Sequence, residues 1–406
     1  MINAADTAFI LAAAGLVLLM TPGLALFYAG MVRTENVLAT IMQSLIMISL
    51  ISLEWVYIGY TMSFGPDVGG VIGNFSHFAL KGVTNAPSSE YATTIPQTVF
   101  MIYQCMFAVI TPALITGAFA ERVRFAPFVG FSVLWAIFVY NPVCHWIWGS
   151  GGWLGKIGVL DFAGGLVVHA TCGMAALAAV MVIGPRKGYG HTHFMPHSLP
   201  MTMLGTGLLW FGWFGFNGGS ALAADGVAAT AFVATHLAGM AGMAMWTLME
   251  WVKIGKPTTL GAASGAISGL ATITPAAGFV GPNSAIFIGL IAGVVCYYAV
   301  NFKAKMKFDD SLDVVGIHGV GGVTGTLLLG IFASTSVNPG GVDGVIAGSF
   351  TQLFIQMLGI LIVCGYAFVV SWIILKVVDM LIGLRVSTEE ETQGLDFSEH
   401  SETAYN

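Results

Sequence analysis

Two histidines, His169 and His318, stand inside long apolar segments. An ionisable side chain is unfavourable there unless it has a partner or a task. Each follows a Leu-Asp pair and a glycine, in LDFAGGLVVH at 160–169 and LDVVGIH at 312–318. A neutral imidazole donates from one nitrogen and accepts at the other, so two facing rings can bond each other and still offer polar atoms to a passing solute. Imidazole also titrates near neutrality, which makes the pair a candidate proton relay. The competing reading is two buried structural histidines, each bonded to a backbone carbonyl. Matched contexts favour the first reading, because two related halves would bring equivalent side chains to a repeat interface.

Asp161 and Asp313 precede these histidines. An aspartate at a helix start accepts hydrogen bonds from free backbone N–H groups and complements the helix dipole. A structural role is expected for both, with cation attraction as the alternative; Asp161 shares its helix with His169 and bears more directly on the site. Aromatic residues form the next group: Phe107 in YQCMFAVIT, Trp148 in HWIWGSGG, and Phe216 in GWFGFNGGS, followed by Ser220. Aromatic faces attract cations, tryptophan most strongly, and a serine oxygen accepts from an ammonium-like donor. Packing or interfacial anchoring is the other reading of such aromatics. Glu54, in ISLEWVYIGY, is an acid without an evident partner and is left without a role. His191, His193 and His197 in PRKGYGHTHFMPH offer metal-ligand chemistry, but a solvated polar loop is expected. Neither a metal site nor a cofactor is expected. Haem ligation by the paired histidines is disfavoured by their glycine-rich surroundings.

The elements that must position these residues are long and apolar. The chain has 406 residues, 56% hydrophobic and 8% charged, against about 25% charged in soluble domains. Apolar runs of about 20 residues, each able to cross a bilayer, recur along nearly the whole length. The expected fold is an all-α polytopic membrane protein of about eleven transmembrane helices. They are placed at 8–31, 36–63, 97–120, 125–146, 163–183, 199–216, 228–251, 259–275, 284–302, 314–332 and 349–382. The first run, without a basic leader or an obvious cleavage site, is read as a helix that stays in the membrane. Of 14 Lys and Arg residues, only Lys81 and Lys156 fall outside one common face. By the positive-inside rule that face, including Lys303, Lys305 and Lys307, is cytoplasmic, with the N-terminus outside and the C-terminus inside. Asp161 then begins its span from outside and Asp313 from inside. Five spans (8–183), five in inverted topology (199–332) and one extra helix (349–382) describe residues 1–382; residues 383–406 form a tail. Five cysteines, with no CxxC spacing, read as buried packing residues.

With TPGLALFYAGMVR, GAFAERVRF, WGSGGWL, LDFAGGLVVH, PHSLPMTMLGTGLLWFGWFGFNGGS, ITPAAGFVG, DVVGIHGVGGVTG and GLRVSTEEETQGLDFSEHSETAYN in order, the chain resembles the ammonium transporters of the Amt/Mep/Rh superfamily, prokaryotic Amt branch. The resemblance implies a narrow apolar pore in each subunit of a homotrimer and an outer cation site formed by Phe107, Trp148 and Ser220. It further implies a gate of Phe107 and Phe216, a pore pair of His169 and His318, and a recruiting and structural role for Asp161. Tyr103 and Glu54 depart from the pattern. The expected function is ammonium transport across the cell membrane: outer recruitment, deprotonation and passage of ammonia. Transport is electrogenic if the proton follows and passive if it stays outside; the electrogenic version is carried forward. The alternative is an ammonium sensor with little transport. No enzymatic activity and no nucleic-acid partner are expected. In relatives the cytoplasmic tail couples to a PII-type signalling protein, whereas its acidic composition alone reads as a solvated tail.

Overall fold

The computed structural model describes residues 1–306 and 308–405; Lys307, assigned above to the cytoplasmic face, lies outside them, as does the last tail residue. Each of the eleven expected segments coincides with a helix. These are α1 (Ala4–Met31), α2 (Val37–Glu54, continued through a π-turn Trp55–Gly59 into Tyr60–Phe64) and α3 (Gln97–Phe119). Next come α4 (Phe125–Trp135, a π-turn Ala136–Tyr140, Asn141–Trp148), α5 (a π-turn Gly165–Ala170, then Thr171–Ile183), α6 (Leu199–Gly219) and α7 (Gly226–Ile254). The last four are α8 (Thr259–Ile273), α9 (Pro282–Met306), α10 (a π-turn Val315–Gly319, then Val320–Phe332) and α11 (Thr351–Ile382). Among the described residues, nine helices are long and apolar enough to cross a membrane, and α6 and α8 are the two outside that set. The chain is therefore an all-α polytopic membrane protein.

Helices dominate because a lipid-embedded backbone must satisfy its own hydrogen bonds. Their starts carry polar caps: Asn3 for α1, Ser198 for α6, Asp225 for α7 and Thr258 for α8 each accept from free first-turn N–H groups. Helix α1 lies along α6, α7 packs on α8 and α9, and α5 is flanked by α3 and α11. Helices α5 and α10 meet where glycines remove side chains. A Cβ on Gly173 would collide with Gly319, and one on Gly322 would meet the Gly165 carbonyl and the His169 Cβ. Residue numbers rise along one helix as they fall along the other, so the two histidine helices cross antiparallel.

One end of the bundle carries the loop 65–96, with two small antiparallel pairs (Asp67–Val68 with Ile72–Gly73, Pro87–Ser88 with Ala92–Pro96), and the short helix Trp153–Ile157. The other end carries a buried ionic cluster. Arg186 grips Asp309 through Nε and Nη2, both at 2.8 Å, and reaches Glu121 at 3.0 Å. Arg33 joins Glu121 at 3.2 Å.

The tail is docked on this second end, and its acids are not simply solvated. Asp396 Oδ1 accepts from the Ala39 N–H at 2.8 Å at the start of α2, and Leu395 packs on Ala39 and Val386. Glu391 accepts from the Lys187 N–H and pairs with Arg385. His197 donates from Nδ1 to the Val32 carbonyl at 3.1 Å, and its Nε2 meets the Tyr405 hydroxyl at 3.1 Å. Glu54 is buried in α2, where the Asn141 amide donates to its Oε1 at 2.8 Å and its Oε2 has no protein partner.

Candidate functional site

A cavity of about 360 Å³ opens at the end that carries loop 65–96, lined by Phe107, Trp148, Asp161 and Ser220 among others. Its shape is set by hydrogen bonds behind the wall. The Trp148 indole donates to the Asp161 carbonyl at 2.7 Å, which fixes the ring edge-on to Phe107, with centroids 6.0 Å apart at 88°. The Ser220 hydroxyl donates to the Phe216 carbonyl at 2.9 Å, leaving its oxygen lone pairs for a donor in the cavity. Tyr103 is buried behind this wall. Its hydroxyl donates to the Phe216 carbonyl at 2.8 Å and lies 3.3 Å from Ser220 Oγ. Gln104 also lines the cavity, with Oε1 buried and without a protein partner. Sequence reading passed over it; a glutamine one turn before Phe107 in an apolar helix was the available signal.

The inner wall of the cavity is a pair of stacked rings. Phe107 and Phe216 lie 4.3 Å apart between centroids, tilted by 35°, and both are fully buried. Behind them is a space of only about 10 Å³, bounded by apolar residues such as Met20, Leu24, Ile110, Leu114 and Leu209, with His169, His318 and Trp213. That is about the least room a single water molecule needs. His169 lies nearly parallel to Trp213 and to His318, at centroid distances of 5.6 and 5.2 Å.

The two histidines face each other through their Nδ1 atoms, 3.2 Å apart. Only one of these nitrogens carries the proton of a neutral pair: one ring donates and the other accepts. The ring that donates from Nδ1 keeps an acceptor at Nε2, and the other keeps an Nε2–H. His169 Nε2 is buried without a protein partner, so this polar atom is free for a solute in the narrow space. The alternative of two histidines bonded to backbone carbonyls does not describe the geometry.

Each histidine sits in a π-turn at the start of its helix. Asp161 holds the first: Oδ1 accepts from Gly164 and Gly165, and Oδ2 from Leu166 and Val167, all at 2.7–3.0 Å. The expectation that Asp313 does the same for the second helix is corrected. Asp310 caps it, accepting from Val314 at 3.1 Å and Val315 at 2.8 Å. Asp313 instead adopts a left-handed conformation (φ 66°) and turns its side chain to Lys303. The physical reason is reach. Asp310, four and five residues before these N–H groups, reaches both, whereas the left-handed turn at Asp313 directs its carboxylate away to Lys303. The missed signal is spacing: Asp161 precedes His169 by eight residues, and Asp310 precedes His318 by the same number.

Comparison with known proteins places the whole chain among one family. The sequence model described as Ammonium Transporter Family matches residues 8–405. The chain is 51% identical to an ammonium transporter of Bacillus subtilis over 401 residues, covering 98% of each chain. Its fold is similar to the crystal structure of Saccharomyces cerevisiae Mep2, with a TM-score of 0.90 and 37% identity over 96% of this chain and 89% of that one. It is also similar to a structure titled Sensor Amt Protein, with a TM-score of 0.90, 30% identity and 98% of both chains covered.

Proposed function

The chain belongs to the Ammonium Transporter Family, and from that premise we propose that it moves ammonium by binding the cation outside, removing its proton and passing ammonia between His169 and His318. The observation that carries this reading is the histidine pair at 3.2 Å, set in an apolar space of about 10 Å³ behind two stacked phenylalanines. Ammonium and potassium ions are similar in size, but only ammonium can give up a proton and leave an uncharged solute. Trp148 and Phe107 present aromatic faces to the cation and Ser220 an acceptor oxygen. An apolar passage opposes a bare ion by several kcal/mol or more, whereas ammonia has a lone pair and N–H groups that match the acceptor and the donor left on the two imidazoles. Deprotonation falls at the Phe107–Phe216 gate, because beyond it nothing solvates the charge. The proton follows along the histidines, so transport is electrogenic. Asp161 supports the mouth by fixing the start of α5 and, through its carbonyl, Trp148.

The same reading assigns residues 8–183 and 199–332 to two inverted halves, with α11 added, and supports it by the antiparallel crossing and equal Asp-to-His spacing. It places the cavity outside and the tail in the cytoplasm, three subunits in the assembly, and the docked tail at the face that a PII-type protein would engage.

The test is current from purified protein in liposomes after an ammonium pulse, with potassium as control and His169→Ala alongside. An ammonium-specific current, lost or altered in the variant while the oligomer persists, is expected. A rise of internal pH without current would replace charge-coupled transport by passive ammonia conduction. Normal flux and selectivity in both His169→Ala and His318→Ala would remove the histidine relay. Neither current nor pH change would favour the sensor reading, for which the likeness to the Sensor Amt Protein is the supporting observation.

A further inference from the structure

His145 lies one helical turn before Trp148 in α4 and is fully buried. Its Nδ1 is 2.9 Å from the Ser63 carbonyl oxygen, and its Nε2 is 3.0 Å from Asp67 Oδ1. Both partners are acceptors. A neutral imidazole has one N–H and would turn a lone pair toward one of them; only the imidazolium donates to both. Asp67 is suited to be the counter-ion. Its Oδ1 also accepts from the Gly70 N–H at 2.7 Å, and its Oδ2 faces the Lys156 ammonium at 3.8 Å. The hydrogen bond from His145 holds the Asp67 carboxyl below its ordinary range.

This pair ties together the chain around Trp148. Gly151, at φ 96°, passes so close that a Cβ would lie 2.6 Å from the Asp67 Cβ. The Trp146 indole donates to the Val71 carbonyl at 2.8 Å, and the Trp153 N–H to Gly70 at 3.2 Å. The turn 67–71, the end of α4 and the turn after it therefore form one clamp, with Trp148 between them. Other titratable groups on elements packed against this part of α4 include Tyr60 and Glu54 in α2, Tyr91, whose hydroxyl accepts from the Ser150 N–H at 2.9 Å, Lys156 on the short helix, His169 in α5 and Tyr366 in α11. Among the described residues, only Asp67 of these ionisable groups bonds the ring. The pair is neutral overall and adds no net charge to the mouth.

We propose that the His145 ring donates from both nitrogens, to Ser63 and to Asp67, and that its pairing with Asp67 positions Trp148 for ammonium. His145 is a positioning residue, and the inference rests on the outer cavity being the cation site.

The ring charge is read directly by nitrogen NMR of purified, ring-labelled protein, using the signals that vanish in His145→Gln. The expected result is a proton on both ring nitrogens at neutral pH. A neutral ring in the parent protein overturns the proposal, whatever any variant does. In liposomes, Asp67→Asn removes the counter-ion and with it the charge-assisted hydrogen bond from Nε2. Half-saturation for ammonium, corrected for its ionised fraction, then rises about tenfold with maximal flux kept, the loss of about one charge-assisted hydrogen bond. Asp67→Glu, which keeps the charge, restores the half-saturation of the parent. Trp148→Leu separates the two readings. If it weakens half-saturation while Asp67→Asn matches the parent, the positioning role is wrong and the outer site stands. If neither variant changes half-saturation, the outer-site reading fails and the positioning role with it.

Discussion

The outer cavity and the histidine passage differ in volume by a factor of more than thirty, about 360 Å³ against about 10 Å³, and they differ as sharply in chemistry. The cavity has a serine oxygen, an unpartnered glutamine oxygen and aromatic faces. The passage has aliphatic walls and a single bonded pair of imidazoles. On the proposed function, a cation is accommodated in the first and excluded from the second. On the same proposal, binding and passage are separated by the Phe107–Phe216 pair, and selectivity arises from the change of charge state that crossing it demands. The comparison teaches that side chains on the two sides should affect different measured quantities: half-saturation on the outer side, maximal flux on the inner.

The largest effect is expected where one residue serves both regions. Asp161→Asn replaces a carboxylate oxygen that accepts two backbone N–H groups with an amide donor facing them. A loss of about 4 kcal/mol in unfolding free energy is expected, measured as thermal unfolding in detergent; an unchanged unfolding temperature would show that the start of α5 does not depend on its cap. His169→Phe keeps the ring stack but removes the polar contacts. Maximal ammonium flux should fall about 100-fold, the value of a buried polar contact of about 2.7 kcal/mol, with half-saturation little changed. A change confined to half-saturation would break the division between the regions. Trp148→Leu should raise half-saturation about tenfold, as expected for a partly desolvated cation–π contact of about 1.4 kcal/mol. The smallest effect belongs to Ser220→Ala, with a rise of about fivefold for one hydrogen bond of about 1 kcal/mol. Both are read from concentration series of ammonium flux in liposomes, and loss of maximal flux in either variant would move that residue to the inner side of the stack.

Glu54 shows how far a buried acid can be read linearly. Its lack of a nearby partner was visible in the sequence, but its actual partner, Asn141, lies 87 positions away and is met only when α2 and α4 pack. The tail shows the converse. Six acids after Ser387 look like a solvated segment, and two of them, Glu391 and Asp396, are instead buried acceptors at the ends of other elements. Composition reports charge and not the N–H groups or guanidinium that will meet it.

What the sequence by itself determined is the membrane class, the approximate spans and which histidines, aromatics and serine come to line the cavity and the narrow space behind it. Lipid permits this legibility, because each span must be a contiguous apolar run that satisfies its own backbone, so departures from apolarity stand out in one dimension. Only the tertiary structure decided which atoms face each other. It decided that His169 and His318 meet through Nδ1, that Asp310 caps the second helix where Asp313 was expected, and that Tyr103, Gln104 and His145 surround the mouth. The reason is geometric. A hydrogen bond is won or lost within a few tenths of an ångström, and helices brought together at glycines fix those distances between residues far apart in the chain.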